Sequence, residues 1–376
     1  MSPVIVSAVD HRRDWEDLWG LSRKLYADDP AWVEPLRAER KTLWSDENPW
    51  FEHAHGQLFL ARRAGQVVGS ISAQVDRLQP LEQGRRVGYF GQFECTNEAE
   101  VASVLFETAS QWLREQGCTW MRGPYDLGIN QSCGLLVSGY DTPPMILMGH
   151  ARPYYRELLE GAGLVREMDL LAYRVAPDFV APAAMRRLLE RSRRRLSFRP
   201  LNMDSYGQEV ELLRELFNDA WADNWGFVPL TRAEFAHTGR EIRRILNPDH
   251  ACVAEIDGQA AGFLIALPNI NELIRDLGGR LFPTGWIRLL WRLKRRGAST
   301  ARVPLMGVSR KHQRGPLGAA ISFGMIDNVR HALHRDGIRH VEMSWILETN
   351  QGMNSLIHAM GGDLYKRYRM YGRALD

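Results

Sequence analysis

Only four of the 376 residues are cysteine: Cys95, Cys118, Cys133 and Cys252. They form no Cys-x-x-Cys pair, and no histidine stands at zinc-finger spacing from them. This excludes a disulfide scaffold and a structural zinc site, and it suits a reducing cytoplasm. Cys133, in the run NQSCGLL, has no obvious partner base nearby and reads as a small buried residue rather than a nucleophile. The N-terminal run MSPVIVSAVDHRRDW has no basic region followed by an apolar core, so no signal peptide is expected. No stretch reaches the roughly 18–20 uninterrupted apolar residues of a spanning helix. A surplus of charge is missing too: 48 Lys and Arg against 45 Asp and Glu leave +3, too balanced for a polycation, and no nucleic-acid-binding module is recognisable. With 45% hydrophobic and 25% charged residues, wholesale disorder is also excluded. The length favours two domains, or one domain used twice.

What is present is an internal repeat. The segment ARRAGQVVGSISAQV reads as strand, turn at Ala64–Gln66, strand; ACVAEIDGQAAGFLIAL has the same shape around Asp257–Gly258. Matching Gly65 to Gly258 gives an offset of 258 − 65 = 193. A helical pattern then closes at Gly117 in the first half and at Gly337 in the second, an offset of 220. A last helix and strand follow in each half, and matching Gly163 to Gly362 gives 199. The shifting offset locates about 27 extra residues before the long helix of the second half, and about 21 before the last helix of the first. The expected fold is therefore mixed α/β, a tandem duplicated unit in which each copy is a central mixed sheet flanked by helices. The expected domains are 1–176 and 201–376, with 177–200 as the linker and start of the second unit, and an insertion at about 271–302. The prolines of VAPDFVAPAA mark the join.

In the second half, Arg302–Val308 reads as a strand and HQRGPLGAAI follows it directly, opening a helix. This order resembles the GNAT acyltransferase fold, in which backbone N–H groups at such a turn cradle the pyrophosphate of coenzyme A. A helix N-terminus offers unpaired donors and a positive dipole end, and small residues let phosphate approach. Arg314, Gly315, Gly318 and Ala319 fit the family pattern, whereas Leu317 stands where the middle glycine belongs and Pro316 reshapes the turn. Val308, Asn350 and Asn354 complete the residues that the resemblance assigns to the cofactor. Asn354 and His358 are four apart and share a helix face. His358 falls where many relatives carry the tyrosine that protonates the departing thiolate, and histidine can donate a proton near neutrality. In the first half the corresponding turn is ECTNEAE: Glu94, Glu98 and Glu100 would repel a pyrophosphate, although they would also suit a helix dipole. That copy is expected to be non-catalytic.

The residues around the insertion are strongly basic. From Leu277 to Ile326 there is no Asp or Glu, against ten Lys or Arg. A helix from Thr284 or Gly285 would gather Trp286, Ile287, Leu289, Leu290, Trp291 and Leu293 within about 200° of arc, with Arg288, Arg292, Arg295 and Arg296 opposite. Two readings stand: a core-packed amphipathic helix, or an interfacial helix on an anionic membrane in which Trp286, Leu290, Trp291 and Arg292 meet the surface or the substrate.

The runs RGP at Arg122–Pro124, Asn130, GLLVSGYDTPP at Gly134–Pro144, and Tyr154–Tyr155 resemble a bacterial family of tandem GNAT-like proteins that includes bacterial ceramide synthases. The resemblance implies acyl-CoA as co-substrate, without a metal, and N-acylation of a long-chain amino base, with the 3-oxo sphingoid base as the acceptor. It also implies a cytoplasmic enzyme peripherally associated with the inner membrane. Such a reaction needs a base for the amine, for which Glu348 is the candidate, and an acid for the thiolate, for which His358 or Tyr371 is the candidate. The competing expectations are a transferase using aminoacyl-tRNA and a lipid-binding protein whose cradle has decayed.

Overall fold

The computed structural model describes residues 2–375 and divides the chain into two units. Unit 1 comprises residues up to Leu170 together with Gly278–Arg280 and the C-terminal segment from Lys366; unit 2 comprises Leu171–Leu277 and Leu281–Tyr365.

In unit 1, β1 (Val4–Ala8), β2 (Ala54–Arg63), β3 (Gln66–Asp76) and β4 (Val87–Cys95) pair successively antiparallel. β5 (Trp120–Gly123) then pairs parallel to β4, and β6 is the short strand Leu135–Ser138. The β2–β3 turn is Ala64–Gly65, both at positive φ (47° and 78°), which is the two-residue hairpin geometry that glycine favours. The helices are α1 (Arg12–Leu25), α2 (Arg37–Leu43), α3 (Ala99–Glu115) and α4 (Tyr155–Gly161). α3 buries Val101, Ala102, Leu105, Phe106, Ala109 and Leu113, a helical-period stripe that lies on the sheet through Phe90 and Phe93. β7 (Val165–Val175) crosses the division between the units.

Unit 2 repeats the plan. α5 (Ala183–Ser192) precedes β8 (Leu196–Arg199), and α6 (Tyr206–Trp221) and α7 (Arg232–Ile242) lead to the hairpin of β9 (Ala251–Ile256) and β10 (Gln259–Pro268). That hairpin turns at Asp257–Gly258, with φ of 50° and 79°. The insertion holds α8 (Asn271–Ile274) and α9 (Gly285–Arg295). β11 (Thr300–Val308) pairs antiparallel to β10, α10 (Gly315–Arg335) follows, and β12 (His340–Leu347) returns parallel to β11 before α11 (Gln351–Ala359). The strand order is β12-β11-β10-β9-β8. The core gathers Cys252, Ala266, Ile321, Phe323, Met325 and Ile357.

The last strand, β13 (Asp363–Ala374), differs from the sequence reading. From Lys366 onward it belongs to unit 1, where Tyr371 pairs with Gly123 and Ala374 with Trp120. The division also falls at Leu170/Leu171 rather than at 176. A second adjustment concerns the repeat: the glycines that close α4 and α11 at positive φ are Gly163 and Gly361 (84° and 79°), so the cap-to-cap offset is 361 − 163 = 198 rather than 199.

Within unit 1, β13 is tied to β7 by Asp169, which is almost fully buried and accepts hydrogen bonds from Arg367 (2.9 Å) and Arg369 (2.8 and 3.1 Å). Burial alone would raise this carboxyl, but the Arg369 and Arg367 bonds outweigh it and bring it down to about 2. A depressed carboxylate adds stability that is present above its unfolded value near 4 and is lost as pH falls towards 2. Asp169→Asn is expected to lower unfolding free energy in urea by about 3 kcal/mol at pH 7. The gap to wild type should narrow between pH 4 and pH 2; a gap independent of pH would contradict this account.

Candidate active site

The parallel ladder between β11 and β12 runs only from Thr300/His340 to Val303/Met343. The next residue is Pro304, which has no N–H to donate, and the β10–β11 register is irregular at the same level. Beyond it, β11 continues to Val308 and β12 to Leu347 without pairing to each other, so the two strands open into a cleft in the sheet. Below the opening, Arg302 and Glu342 are register partners and both are buried. Arg302 Nε donates to Ser344 Oγ (2.7 Å), Ser344 Oγ donates to Glu342 Oε1 (2.5 Å), and Tyr365 donates to the other Glu342 oxygen. This buried charge network fixes the two strands where they part. The sequence reading missed it; the available signal was polar residues at period two, Glu342 and Ser344, inside an otherwise apolar strand.

At the open end, the turn from Ser309 to Arg314 is fastened to α6. Arg310 donates from its backbone N–H (2.8 Å) and its Nε (3.2 Å) to Asp219, while Gln313 Nε2 donates to the carbonyls of Ala220 (2.7 Å) and Val308 (2.9 Å). Gly307 lies under the ring of Trp221, where any Cβ would fall 2.3 Å from a ring carbon. The turn therefore delivers α10 at a set position. Gly315 begins α10 at φ 77°, and Gly318 has the Gln313 and His312 carbonyls 2.3 and 2.6 Å from where a Cβ would sit. The N-cap Arg314 makes no side-chain cap, and the first turn of α10 contains no acidic residue. Its early N–H groups have no partner within the helix. Arg314 and Lys311 are exposed beside them, and partial burial together with Lys311 and Arg195 lowers the His312 pKa. An electropositive helix end with uncapped donors can hold an anion such as phosphate.

The other sequence candidates fall in several places. Val308 ends β11, buried, with its carbonyl accepting from Gln313. Ala319 follows Gly318 in α10, half-buried. Asn350 caps α11 through the Met353 N–H (3.1 Å), and Asn354 Nδ2 donates to the Leu347 and Glu348 carbonyls (3.3 Å each), bracing the end of β12. Glu348 is half-buried just past that end. His358 is exposed on α11 with its ring edge-on to Tyr173, centroids 5.2 Å apart. Tyr371 belongs to unit 1, fully buried, its hydroxyl donating to Glu160 (3.2 Å), and burial with the Glu160 charge pushes it up to about 12. In α9 the apolar residues Trp286, Ile287, Leu290 and Trp291 are exposed, by 43–62%, while Leu289, Leu293 and Arg292 are half-buried; Asp276 pairs with Arg292 and with the exposed Arg288. Arg292 is thus an intra-unit partner, and the exposed side of α9 carries both apolar residues and the basic Arg288, Lys294, Arg295 and Arg296.

In unit 1 the equivalent helix start carries Glu98 and Glu100, both paired with Arg63, and has no glycine. All four cysteines are buried and none is in a disulfide.

No family model matches the chain. It is 43% identical over 358 residues to the bacterial ceramide synthase of Caulobacter vibrioides (94% of this chain, 93% of that protein). It is 41% identical over 366 residues to Protein YghO of Escherichia coli (97% and 94%). The chain belongs to the tandem GNAT-fold acyltransferase family that includes the bacterial ceramide synthase. Among solved structures, it is similar to a tandem GNAT protein from the clavulanic acid biosynthesis pathway (TM-score 0.57, 14% identity, 100% and 99% covered). It is also similar to a GCN5-related N-acetyltransferase from Sphaerobacter thermophilus (TM-score 0.54, 13% identity, 100% and 97% covered). These two likenesses establish the fold, the tandem GNAT architecture expected from the repeat.

In this acyltransferase, replacing Gly318 by alanine tests the turn. Alanine normally favours a helix interior by about 1 kcal/mol over glycine. Here the Cβ has no room, so Gly318→Ala is expected to lower unfolding free energy by about 1–3 kcal/mol. A stabilised variant in denaturant titration would show that the turn is not closely packed at this point.

Proposed function

We propose that the enzyme transfers a fatty acyl group from acyl-CoA to the amine of a long-chain base, the 3-oxo sphingoid base being the acceptor suggested by its ceramide synthase relative. The observation that carries the reading is the parting of β11 and β12 past Val303/Met343, directly before a basic, uncapped helix N-terminus at Arg314–Gly318. Arg314, Gly315, Gly318 and Ala319 would hold the pyrophosphate and Val308 would flank the thioester. Asn350 and Asn354 would act by fixing the end of β12.

The chemical step forms a C–N bond and breaks the thioester C–S bond. The amine nitrogen attacks the carbonyl, its surplus proton passes to Glu348 through water, and the thiolate leaves with a proton from His358. His358 is preferred to Tyr371 because Tyr371 is enclosed in unit 1 against Glu160. In a coupled assay of thiol release with product mass, wild type is expected to yield an N-acylated long-chain amine. Arg314→Glu is expected to raise the KM for acyl-CoA at least tenfold. No release with any chain length, despite acyl-CoA binding, would favour a non-catalytic lipid-binding protein.

Both substrates carry long alkyl chains, and α9 supplies a means of meeting them. No helix among the described residues is long and apolar enough to cross a membrane. The exposed Trp286, Ile287, Leu290 and Trp291, with Phe282 beside them, are proposed to dip into a bilayer surface while Lys294, Arg295 and Arg296 meet anionic headgroups. Trp286→Ser with Trp291→Ser is expected to reduce co-sedimentation with phosphatidylglycerol vesicles at least fivefold without lowering Tm. Unchanged sedimentation would remove α9 from the membrane reading.

A further inference from the structure

Tyr154 and Tyr155, among the residues that carry the family resemblance, lie in unit 1 beside a second polar cluster. After β5, the chain lays the Tyr125 carbonyl over Gly91 so closely that a Cβ there would sit 1.5 Å from it. Gln74 Nε2 holds that approach by donating to the carbonyls of Tyr125 and Leu127 (3.2 Å each). Asp126 is thereby set against β4, where Gln92 Nε2 donates to it (2.6 Å). Two residues on, past the register shift at Gln92 (φ 46°), Glu94 accepts from Tyr155 (2.6 Å). Tyr154 donates to the Cys95 carbonyl (2.8 Å).

Both carboxylates are half-buried. Burial raises the Glu94 pKa, and it raises Asp126 to about 6; Arg40 is the one cation that eases both. Tyr26 is 2% exposed, and its hydroxyl faces Glu94 and Tyr155 without completing a hydrogen bond to either. Its ring stacks on Trp32 (centroids 5.2 Å) and abuts His150 (5.9 Å). His150 is in turn held by Asp29 (2.9 Å) and has its Nδ1 buried and unpartnered. A buried hydroxyl of this kind costs free energy until something meets it.

Two carboxylates against one guanidinium leave a deficit of one positive charge, and the acceptors converge from different elements. An anion would be repelled. Among the described residues, no trio of His, Cys, Asp or Glu is placed to hold a metal ion. A primary ammonium group fits both the charge and the geometry, since its three N–H donors can serve two carboxylates and a phenol oxygen together. We propose that Glu94, Asp126 and Tyr26 form a binding site in unit 1 for the primary ammonium group of an organic amine. The site is distinct from the acyl-CoA cradle of unit 2; the choice of a long-chain amine as its ligand rests on the proposed function, and it gives the copy without a cradle a ligand of its own.

The test is calorimetric titration of the full chain, without acyl-CoA, using sphinganine in mixed micelles as probe and N-acetylsphinganine as its uncharged counterpart. Wild type is expected to bind sphinganine at least tenfold more tightly than the N-acetyl compound. Glu94→Gln and Asp126→Asn are each expected to weaken sphinganine at least tenfold, and Tyr26→Phe about threefold. Near-ultraviolet circular dichroism identifies any variant that fails to fold, and the remaining variants then carry the test. Equal binding of the two probes, no binding by wild type, or undiminished binding by the folded variants would each overturn the proposal. A defect in acyl-CoA binding would bear only on unit 2.

Discussion

Between Val303 and Met343 the hydrogen-bonded ladder joining β11 to β12 ends, and the features proposed as the active site lie on the open side of that point. A parallel pair held along its whole length would leave no room in the sheet for a thioester. Pro304 removes a donor where the ladder would continue, and the Arg302–Glu342–Ser344 network clamps the strands just before it. The clamp and the breaker act in opposite directions within three residues. A buried ion pair adds little stability over well-packed apolar side chains, but it is demanding about geometry. That is the property needed where the strands must stop pairing at one residue and not slide. The turn at Ser309–Arg314, tied to Asp219 and Ala220, then inherits its position from β11.

The two copies of the unit keep this plan and diverge in the charge they place on it. In unit 2 the helix after the opened strand begins with glycine, proline and basic neighbours, leaving its donors uncapped. In unit 1 the equivalent helix begins with Glu98 and Glu100, neutralised by Arg63, so its dipole is met from within. The carboxylate that is not neutralised in this way, Glu94, sits one step earlier, at the end of the strand. Duplication preserved the sheet, on which folding depends, and left the loops at the strand ends free to acquire opposite electrostatics.

Those features were unequally legible from residues alone. Both hairpins could be read because Ala64–Gly65 and Asp257–Gly258 are turns whose backbone demands glycine, and both long helices because their glycine caps stand at Gly117 and Gly337. The exchange of the last strand could not, because strand pattern reports which faces are buried and not which sheet receives them; β13 from Lys366 onward is in unit 1 although its sequence echoes the first half in order. Tyr371 falls in unit 1 for that reason. The Gly315–Gly318 turn was visible as a motif. Asp126 and Tyr26 were not, since their meeting with Glu94 depends on a carbonyl laid over Gly91, a long-range contact with no local signature.

α9 shows why amphipathic pattern needs the neighbouring charges to be interpreted. A helix with six large apolar residues on one side is expected to bury that side, and the arginines opposite are expected to face water. Here Asp276, the last acidic residue before the long basic stretch, draws Arg292 in beside Leu289 and Leu293, and Trp286, Ile287, Leu290 and Trp291 stay exposed alongside Arg288, Lys294 and Arg295. Exposed tryptophan on a surface helix costs hydration free energy in water at roughly 25 cal/mol per Å² of apolar area. That cost is recovered only if the face is covered. Because the adjacent lysine and arginines remain exposed, the bilayer surface proposed above, apolar inside and anionic outside, would meet both kinds of exposed side chain at once, which an apolar protein surface alone would not.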